Sequence, residues 1–313
     1  MQVHQLHFPA PLEQLSSLSS PQVLAIGDFD GVHLGHQHVL QRAVTEARQL
    51  GLTASVMTFH PHPREVLGQT GYTQYLTPLD EKLVLFEQLG IDCTYVVRFD
   101  EMFSHVSPDC FVKEMLSSLK LNTVIVGFDF RFGYLGSGNP DTLCELAHGL
   151  FAVEIVRPYV QNGEKVSSTL IRQSLQAGDV PLATSLLGRP YAVSGIVTHG
   201  DGRGRTIGFP TANVEPSGSF VVPAGGVYAV RVKLEGETFD GVMNIGTKPT
   251  FTGAGIRTLE AHLFDFSDDI YEKALTIHFI AYLRPEQKFA SVDELIRQIH
   301  ADADRAKQIL SAS

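Results

Sequence analysis

The stretch VLAIGDFDGVHLGH, residues 23–36, decides the fold of the first half of the chain. Residues 23–26 form a short apolar run of the kind that makes a buried strand, and Gly27 ends it. Beyond the glycines, apolar residues recur at helical spacing up to Leu50, and Gly51 is suited to end that helix. The stretch therefore predicts a strand, a glycine-rich turn and a helix, which together begin a βαβ unit.

The same alternation continues to residue 156. Further strands are predicted at residues 54–59, 94–97, 123–127 and 152–156. A helix is predicted to follow Thr77 as its N-cap, with Pro78 at the first position and Asp80 reaching back. Another helix is predicted at residues 108–119. Strands separated by helices of this length predict a parallel, Rossmann-like sheet, which binds ligands where strand carboxyl ends meet loops.

The pattern changes near residues 179–190, and strand-like runs dominate the second half. They cover residues 191–197, 227–232, 242–245, 259–264 and 275–280, with Gly and Pro turns between them. This spacing predicts an antiparallel barrel or sandwich. We therefore expect an α/β protein with two domains: a Rossmann-like parallel-sheet domain at 1–184, and a mostly antiparallel β-barrel domain at 185–313.

The chain closes with one predicted helix. Ser291 is its expected N-cap, and Glu294 completes a capping box. Leu295, Ile299 and Ile309 are expected to form its apolar face.

Composition limits the class of partner. The formal net charge of −10 argues against a broad contact with DNA or RNA, although it leaves room for small phosphorylated ligands. The 3 cysteines are far apart and form no C-x-x-C pair, so neither a disulfide framework nor a thiolate zinc site is expected. There is no signal-peptide pattern and no apolar run near the ~20 residues that span a bilayer. We expect a cytoplasmic protein with small-molecule partners; the sequence does not indicate an oligomeric state.

The loop that opens at Gly27 has the parts of a phosphate site. Its glycines let the backbone approach a ligand, and the following helix offers free N–H groups and a partial positive charge. His33 and His36 can add donors where charge builds on a nucleotide α-phosphate. The glycine spacing matches neither a Walker A loop nor a dinucleotide fingerprint. A metal site formed with His38, or histidines that are simply at the surface, are the alternatives.

A second glycine-rich stretch, GDGRGRTIGFPTAN, covers residues 200–213. Its glycines and two arginines are typical of a phosphate-covering loop, although an ordinary hairpin turn is the alternative. Thr211 and Asn213 lie two residues apart, so on an extended segment both side chains face one side. A hydroxyl and an amide oxygen can bind a hard, mostly hydrated cation, which predicts a Mg²⁺ site.

The first half resembles the bacterial bifunctional riboflavin kinase/FAD synthetases, whose N-terminal module is similar to the H-x-G-H nucleotidyltransferases. Four motifs carry the resemblance: the loop G-x-F-D-G-x-H-x-G-H from residue 27, TFHPHP at 58–63, GFDFRFG at 127–133 and SSTLIR at 167–172. The resemblance implies that Asp129 helps hold the adenosine and that Phe128 packs nearby. The implied catalytic residues are His33, His36 and Arg172. The implied nucleotide-binding residues are Gly27, Phe29, Asp30, Gly31, Gly35, His62, Phe128, Asp129, Ser167, Ser168 and Thr169.

One departure concerns the segment after GFDFRFG. Family members usually carry an arginine there, whereas this chain has Leu135, Gly136 and Ser137. The departure leaves one alternative, a riboflavin kinase whose N-terminal half is inactive or regulatory.

The second half resembles riboflavin kinases. G-R-x-x-G-F-P-T-A-N matches their signature, and the match continues at residues 241–251, 259–266 and 283–289. The resemblance implies that Glu260 is the general base for the riboflavin 5′-hydroxyl; by periodicity alone it would be a strand surface residue. The resemblance implies that Arg284 lines the nucleotide or flavin pocket; the alternative is a structural ion pair with Glu286 or with a helix end. The remaining implied residues are Gly204, Arg205, Gly208, Pro210 and Asn244 for the ligands, and Thr211 and Asn213 for Mg²⁺. Where the family often has a glycine after a late tyrosine, Glu272 follows Tyr271; we expect a modified surface turn.

Together the two resemblances imply two ATP-dependent steps. Riboflavin is phosphorylated to FMN, and AMP is then transferred from ATP to FMN to give FAD and pyrophosphate. The second step is expected to be an in-line displacement without a general base, because a phosphate dianion is already a nucleophile. Two other functions explain less of the sequence. A non-enzymatic flavin-binding module leaves two nucleotide-type loops unexplained, and a nucleotidyltransferase for another alcohol phosphate leaves the barrel signature unexplained.

Overall fold

The structure, a computed structural model, describes residues 1–9, 20–69, 72–199, 204, 208–248 and 256–312. The chain divides into two compact units, Met1–Ser168 and Thr169–Ser313. The predicted domain boundary between residues 184 and 185 lies further along the chain than this division. Among the helices in the described part of the chain, none is long and apolar enough to cross a membrane.

The first unit contains the predicted parallel sheet. Its strands are β1 Gln2–Leu6, β2 Gln22–Ile26, β3 Thr53–His60, β4 Cys93–Arg98, β5 Leu121–Gly127 and β6 Ala152–Val156, and a small hairpin of β7 Val160–Gln161 and β8 Glu164–Lys165 follows. In space the order is β1-β4-β3-β2-β5-β6, with every neighbouring pair parallel. The edge strand β1 was not predicted.

Helices cover both faces of this sheet. They are α1 Leu34–Leu50, α2 Pro63–Val66, α3 Leu79–Gln88, α4 Glu101–Ser104, α5 Pro108–Cys110 and α6 Pro140–Leu146. Alternate residues of β2 face opposite ways, so Val23 and Ala25 pack with α1, whereas Leu24 and Ile26 join the core on the other face. The segment 108–119 is helical over the predicted bounds, but it passes from α5 into a π-helix, Phe111–Met115, and a 3₁₀ helix, Leu116–Leu119.

The predicted cap of α3 is wrong. The helix begins at Leu79, and Pro78 occupies the cap position without a side-chain cap. The backbone N–H groups of Leu76 and Thr77 instead donate to the carboxylate of Asp30, at 2.9 and 3.2 Å. A partner far away in the sequence has therefore replaced the local cap that the pattern favoured.

The second unit contains a closed antiparallel barrel, as predicted. Helix α7 Ser168–Gln176 begins at the last residue of the first unit, and α8 Val180–Leu187 follows it in the chain. The barrel strands are β9 Tyr191–Thr198, β10 Ala212–Pro216, β11 Gly226–Leu234, β12 Glu237–Lys248, β13 Ile256–Leu263 and β14 Ala274–Arg284, and the chain ends in α9 Val292–Ser311. The barrel order is β10-β13-β12-β11-β14-β9. These observations confirm the predicted fold class.

The final helix packs on the outside of the barrel. Ser291 caps α9 as predicted, accepting from the N–H of Glu294, while the Glu294 carboxylate accepts from the N–H of Ala290. The predicted apolar face is only partly right. The most deeply buried apolar side chains are Ala303, Ala306 and Leu310, whereas Leu295, Ile299 and Ile309 are half-buried.

The turn that carries the Tyr271–Glu272 departure keeps an unusual backbone. Glu272 has φ 63°, in the left-handed region where glycine is usual. Glu272 thus adopts a backbone conformation that favours glycine.

Candidate functional site

The strand order of the sheet changes direction at β2. From β2 the chain moves to β3 and β4 on one side and later to β5 and β6 on the other. In open α/β sheets, ligands bind at the carboxyl ends of the strands where the order reverses. Here that point lies between β2 and β5, which are followed by Gly27 and Phe128. We call this edge the strand-end site; it comprises residues 27–36, His62, Phe128, Asp129, Ser167 and Ser168.

The glycine-rich turn is built around a buried ring. Phe29 has φ 56° and is only 3% exposed, and its ring meets His36 and Phe86 edge to face at centroid distances of 5.3 and 5.8 Å. A Cβ on Gly27 would lie 2.9 Å from this ring, so a glycine is required there. Gly31 has φ 91°, which also favours glycine. The ring of Phe29 therefore supports the turn from beneath.

Asp30 is likewise turned into the protein, with 2% exposure. One oxygen of the Asp30 carboxylate accepts from two backbone N–H groups of the segment before α3. The backbone carbonyl oxygen of Asp30 accepts from the Ser168 hydroxyl at 2.8 Å. Asp30 thus ties the glycine-rich turn to two other segments of the first unit.

His33 and His36 form a stacked pair at the start of α1. Their ring centroids are 3.5 Å apart with an angle of 18° between the planes. His33 caps the helix, because its Nδ1 accepts from the backbone N–H of His36 at 3.2 Å. A Cβ on Gly35 would lie 3.1 Å from the His33 ring, so the glycine makes room for the pair. The result is two imidazoles beside the positive end of a 17-residue helix.

His38 does not join this pair. Its ring is 6.2 Å from that of Tyr159. Over the described ranges, no group of three or more His, Cys, Asp or Glu side chains is placed to hold a metal ion.

His62 has both ring nitrogens engaged. Its Nδ1 accepts from the N–H of Arg64 at 3.0 Å, and its Nε2 lies 3.2 Å from a carboxylate oxygen of Asp28. Lys82 is buried and donates to the carbonyl oxygen of Asp28 at 2.6 Å. Burial opposes ionisation of Asp28, but the charge of Lys82 and the hydrogen bond from His62 prevail, so the pKa of Asp28 is below its usual value. This network holds the loop after β3 against the turn after β2.

Phe128 and Asp129 follow β5 and face outward. The Phe128 ring is 40% exposed, and Lys165 Nζ lies 4.4 Å above its centroid. The same ammonium lies 2.6 Å from the Asp129 carboxylate. The two predicted ligand residues are thus available at the surface of the strand-end site, with a lysine beside them.

The serine-rich motif begins a helix. Ser168 is the first residue of α7, and its hydroxyl is the group that reaches Asp30. Thr169 is exposed and belongs to the second unit, as does Arg172, which lies one turn after Ser168 on the same helical face.

The barrel brings the second set of predicted residues into one row. Asn213 of β10 lies directly opposite Glu260 of β13, which lies opposite Asn244 of β12. The row continues to Thr198 on one side, and to Val227 and Arg284 on the other. Directly opposed residues face the same side of a sheet. We call Thr198, Asn213, Glu260, Asn244, Val227 and Arg284 the barrel row.

The barrel row lies on the outer face of the barrel. The adjacent row, formed by Val197, Val214, Leu259 and Ile245, is buried and fills the interior. Val227 of the barrel row belongs instead to the core beneath α9. Glu260, Asn213 and Asn244 are each half-buried. A carboxylate flanked by two side-chain amides therefore lies half-buried on the outer face of the barrel.

The segment before β10 presents Thr211 next to this row. The N–H of Phe209 donates to the Gly204 carbonyl at 2.9 Å, and Gly208 has φ 80°. A Cβ on Gly204 would lie 2.3 Å from the Phe209 carbonyl oxygen and 3.2 Å from the Thr211 hydroxyl, so only glycine fits there. Pro210 directly precedes Thr211, and its carbonyl oxygen lies 2.8 Å from Nδ1 of His262. Arg205 lies outside the described residues.

Arg284 forms an ion pair, and its partner is Asp302 of α9. Its guanidinium donates to both carboxylate oxygens at 2.8–3.0 Å, and the two side chains are 17% and 7% exposed. The pair ties the last helix to the barrel row.

Several residues at these sites were not predicted from the sequence: Asp28, Lys82, Lys165, His262 and Asp302. Lys82 carried a signal, because a lysine on the buried face of an amphipathic helix needs a polar partner. Asp28 and His262 lie inside the motifs at 27–36 and 259–266, but these motifs assigned them no role. The others are connected through contacts between segments that are distant in the sequence.

Comparisons with known proteins cover both units. A family model described as FAD synthetase matches residues 15–170, and one described as riboflavin kinase matches residues 187–310. A bifunctional riboflavin kinase/FMN adenylyltransferase of Bacillus subtilis is 43% identical over 309 residues, which cover 98% of this chain and 98% of the relative. The protein of the same description from Escherichia coli is 43% identical over 292 residues, covering 91% and 92%.

One solved structure matches over nearly the whole length. The crystal structure of a macrolide-efflux protein from Streptococcus pneumoniae has a TM-score of 0.90 at 30% identity, covering 98% of this chain and 99% of that one. The fold described above is therefore found in an experimental structure.

Proposed function

The chain belongs to the family of bifunctional riboflavin kinase/FMN adenylyltransferases, and we propose that it carries out both reactions of that description. In the first, ATP phosphorylates riboflavin to FMN at the barrel row. In the second, AMP passes from ATP to FMN at the strand-end site, giving FAD and pyrophosphate.

For the kinase reaction we assign Glu260 as the general base. It would take the proton of the riboflavin 5′-hydroxyl while that oxygen attacks the γ-phosphorus and ADP leaves. Its half-buried position between Asn213 and Asn244 supports this role, because two amides can orient the carboxylate and the substrate hydroxyls.

Thr211 and Asn213 are the proposed magnesium ligands. Both offer neutral oxygen atoms, and Mg²⁺ is usually held by few protein oxygens, with water and nucleotide phosphates supplying the rest. The lack of a dense acidic cluster over the described residues fits that kind of site. When bound, the ion would neutralise charge on the transferred phosphate.

For the adenylyl transfer we propose that the phosphate of FMN attacks the α-phosphorus of ATP in line. The bond from that phosphorus to the bridging oxygen breaks, and pyrophosphate leaves. His33, His36 and the start of α1 would stabilise charge on the non-bridging oxygens. Asp129 and Phe128 would contact the adenosine, and Ser167, Ser168, Thr169 and Arg172 the leaving phosphates.

The observation that carries the proposal is that each motif set assembles. His33 and His36 stack in the first unit, and Asn213, Glu260 and Asn244 share one row in the second. Its test is to incubate purified protein with riboflavin and Mg-ATP and to follow FMN and FAD by chromatography. We expect FMN first and FAD later. In a second arm, FMN plus ATP should release pyrophosphate; FMN formation without pyrophosphate release would instead indicate a kinase with an inactive first unit.

We propose small molecules as the partners, since the net charge of −10 disfavours nucleic acid. The three cysteines are free, which supports the reducing cytoplasm as the location.

A further inference from the structure

His262 lies on β13 two residues beyond Glu260 and makes a contact that the reaction scheme does not use. Its Nδ1 is 2.8 Å from the carbonyl oxygen of Pro210. A carbonyl oxygen only accepts hydrogen bonds, so Nδ1 must carry the proton and donate. The contact therefore assigns the Nδ1–H form of this imidazole.

The position of this hydrogen bond has a structural reason. The ladder between β10 and β13 ends with the pair Ala212 and Ala261. Two residues earlier stands Pro210, which has no N–H with which to extend the ladder. Beyond the last pair of the ladder, the His262 side chain on the neighbouring strand β13 donates a hydrogen bond to the Pro210 carbonyl oxygen.

A second contact holds the same segment. Phe209 is 9% exposed, and its ring meets His262 at 5.3 Å and His300 of α9 at 4.7 Å between centroids. The residue before Pro210 is thus held by rings from β13 and α9. Thr211 comes directly after these two anchored residues.

We propose that His262 is a positioning residue of the kinase site. Through its Nδ1–H it fixes Pro210, and thereby sets the Thr211 hydroxyl relative to Asn213 and Glu260. The strand that carries the base then also sets the position of the neighbouring oxygen ligand. The consequence for catalysis rests on the proposed function of Glu260, Thr211 and Asn213.

Two amide substitutions separate this role from a general loss of packing. In His262→Asn the side-chain nitrogen occupies the place of Nδ1 and can still donate to Pro210, whereas in His262→Gln it occupies the place of Nε2 and cannot. Loss of one net hydrogen bond costs about 1 kcal/mol, which corresponds to roughly a fivefold change in a rate constant. We expect H262Q to lower kcat/KM for riboflavin about fivefold and to raise the Mg²⁺ concentration for half-maximal rate. H262N should keep more than half of the wild-type value. FMN adenylylation should be the same in all three full-length proteins.

A spectroscopic measurement tests the contact without catalysis. In protein labelled with ¹⁵N-histidine, the His262 signal, identified by its loss in H262N, should show a proton on Nδ1. A proton on Nε2 with none on Nδ1 would overturn the assignment. Equal kinase rates in H262N and H262Q, whether both normal or both low, would overturn the positioning role.

The variant T211V separates this proposal from the proposed function. If T211V leaves the Mg²⁺ dependence unchanged, the assigned magnesium ligand is wrong, while the tautomer and the difference between H262N and H262Q still decide the role of His262. His300→Ala is the packing comparison, because it removes a ring contact with Phe209 but no hydrogen bond to Pro210; we expect a smaller loss of kcat/KM for riboflavin than in H262Q.

Discussion

At the strand-end site several motif side chains point into the protein, whereas along the barrel row the motif side chains stand on the outer face of the strands. Phe29, Asp30 and His62 are each less than 10% exposed and contact other protein groups. Asn213, Glu260 and Asn244 are half-buried and share one face. Both sets come from motifs of similar clarity, yet they differ in what they contact.

The difference follows from how each site is built. At the end of a parallel sheet, the phosphate-binding groups are backbone N–H groups and a helix N-terminus, so the side chains nearby must hold the loop in shape. On the wall of a barrel the backbone N–H and C=O groups are already hydrogen-bonded between strands. Contacts with a ligand are therefore made by side chains. A motif in a loop therefore marks scaffold and ligand residues together, whereas a motif on a strand marks ligand residues by alternation.

The largest effect is expected on the barrel row. Glu260→Gln should lower the riboflavin kinase rate about 10³-fold, since a general base contributes roughly 10²–10⁴-fold. Conversion of supplied FMN to FAD should be unchanged. Chromatography of reactions started from riboflavin and from FMN measures both. Glu237→Gln, an exposed carboxylate at the start of β12, is the matched control. A normal kinase rate in E260Q would show that the base is another group.

The second prediction concerns the strand-end site, where a substitution should reduce FMN adenylylation and not the kinase reaction. His36→Ala removes one imidazole of the stacked pair and should lower FMN adenylylation about 10²-fold, the scale of losing one charge-stabilising donor. The kinase rate should be unchanged. Pyrophosphate release from FMN and ATP is the assay, and His38→Ala, two residues along the same helix, is the control. If H36A reduced both activities equally, the idea of two separate sites would be wrong.

The third prediction tests scaffold against ligand contact at Asp30. One oxygen of this side chain accepts both buried N–H groups, and an asparagine can present an oxygen in the same place. We expect Asp30→Ala to lower the free energy of unfolding by about 2–4 kcal/mol, because two buried donors lose their acceptor. Asp30→Asn should cost about 1 kcal/mol or less and retain most adenylylation. Chemical denaturation and the pyrophosphate assay measure the two quantities.

An opposite pattern would place Asp30 among the ligand-binding groups. It would be seen if D30N were as stable as the wild type but had lost adenylylation. The charge of Asp30, and not its role as a hydrogen-bond acceptor, would then matter.

The sequence predicted the architecture well because the architecture follows local rules. Apolar periodicity gave the predicted parallel strands within a few residues, and the glycine at position 51 ends α1 in the left-handed conformation, at φ 67°. The capping residue Ser291 was also correct. The motifs included Asn213, Glu260, Asn244 and Arg284 of the barrel row, whereas the register that aligns them comes from the structure.

What the sequence did not predict depends on contacts between distant segments. Thr77 was the best local cap, but its N–H donates to Asp30, 47 positions earlier in the chain. Arg284 had Glu286 as a nearby candidate partner, but it pairs with Asp302 once α9 packs on the barrel. The buried Asp28–His62–Lys82 network joins three segments, and only the fold brings them together.

The smallest effect is expected at Asp28, whose carboxylate lies 3.2 Å from the His62 ring at the strand-end site. Because the pKa of Asp28 is lower in the folded protein than its usual value, its ionised form stabilises the fold above about pH 4, and this contribution is lost as the pH falls through the lower, folded-state pKa. Asp28→Asn should therefore lower the free energy of unfolding by about 1 kcal/mol at pH 7, the scale of one net hydrogen bond. Lys82 keeps its bond to the Asp28 carbonyl in this variant, so its ammonium is not left without an acceptor.

Urea denaturation of both proteins between pH 7 and pH 3 measures the difference in their free energies of unfolding. This difference should shrink below about pH 4, and adenylylation at pH 7 should change only a few-fold. A difference that stays constant down to pH 3 would mean that the charge of Asp28 does not contribute to holding His62 and the loop after β3.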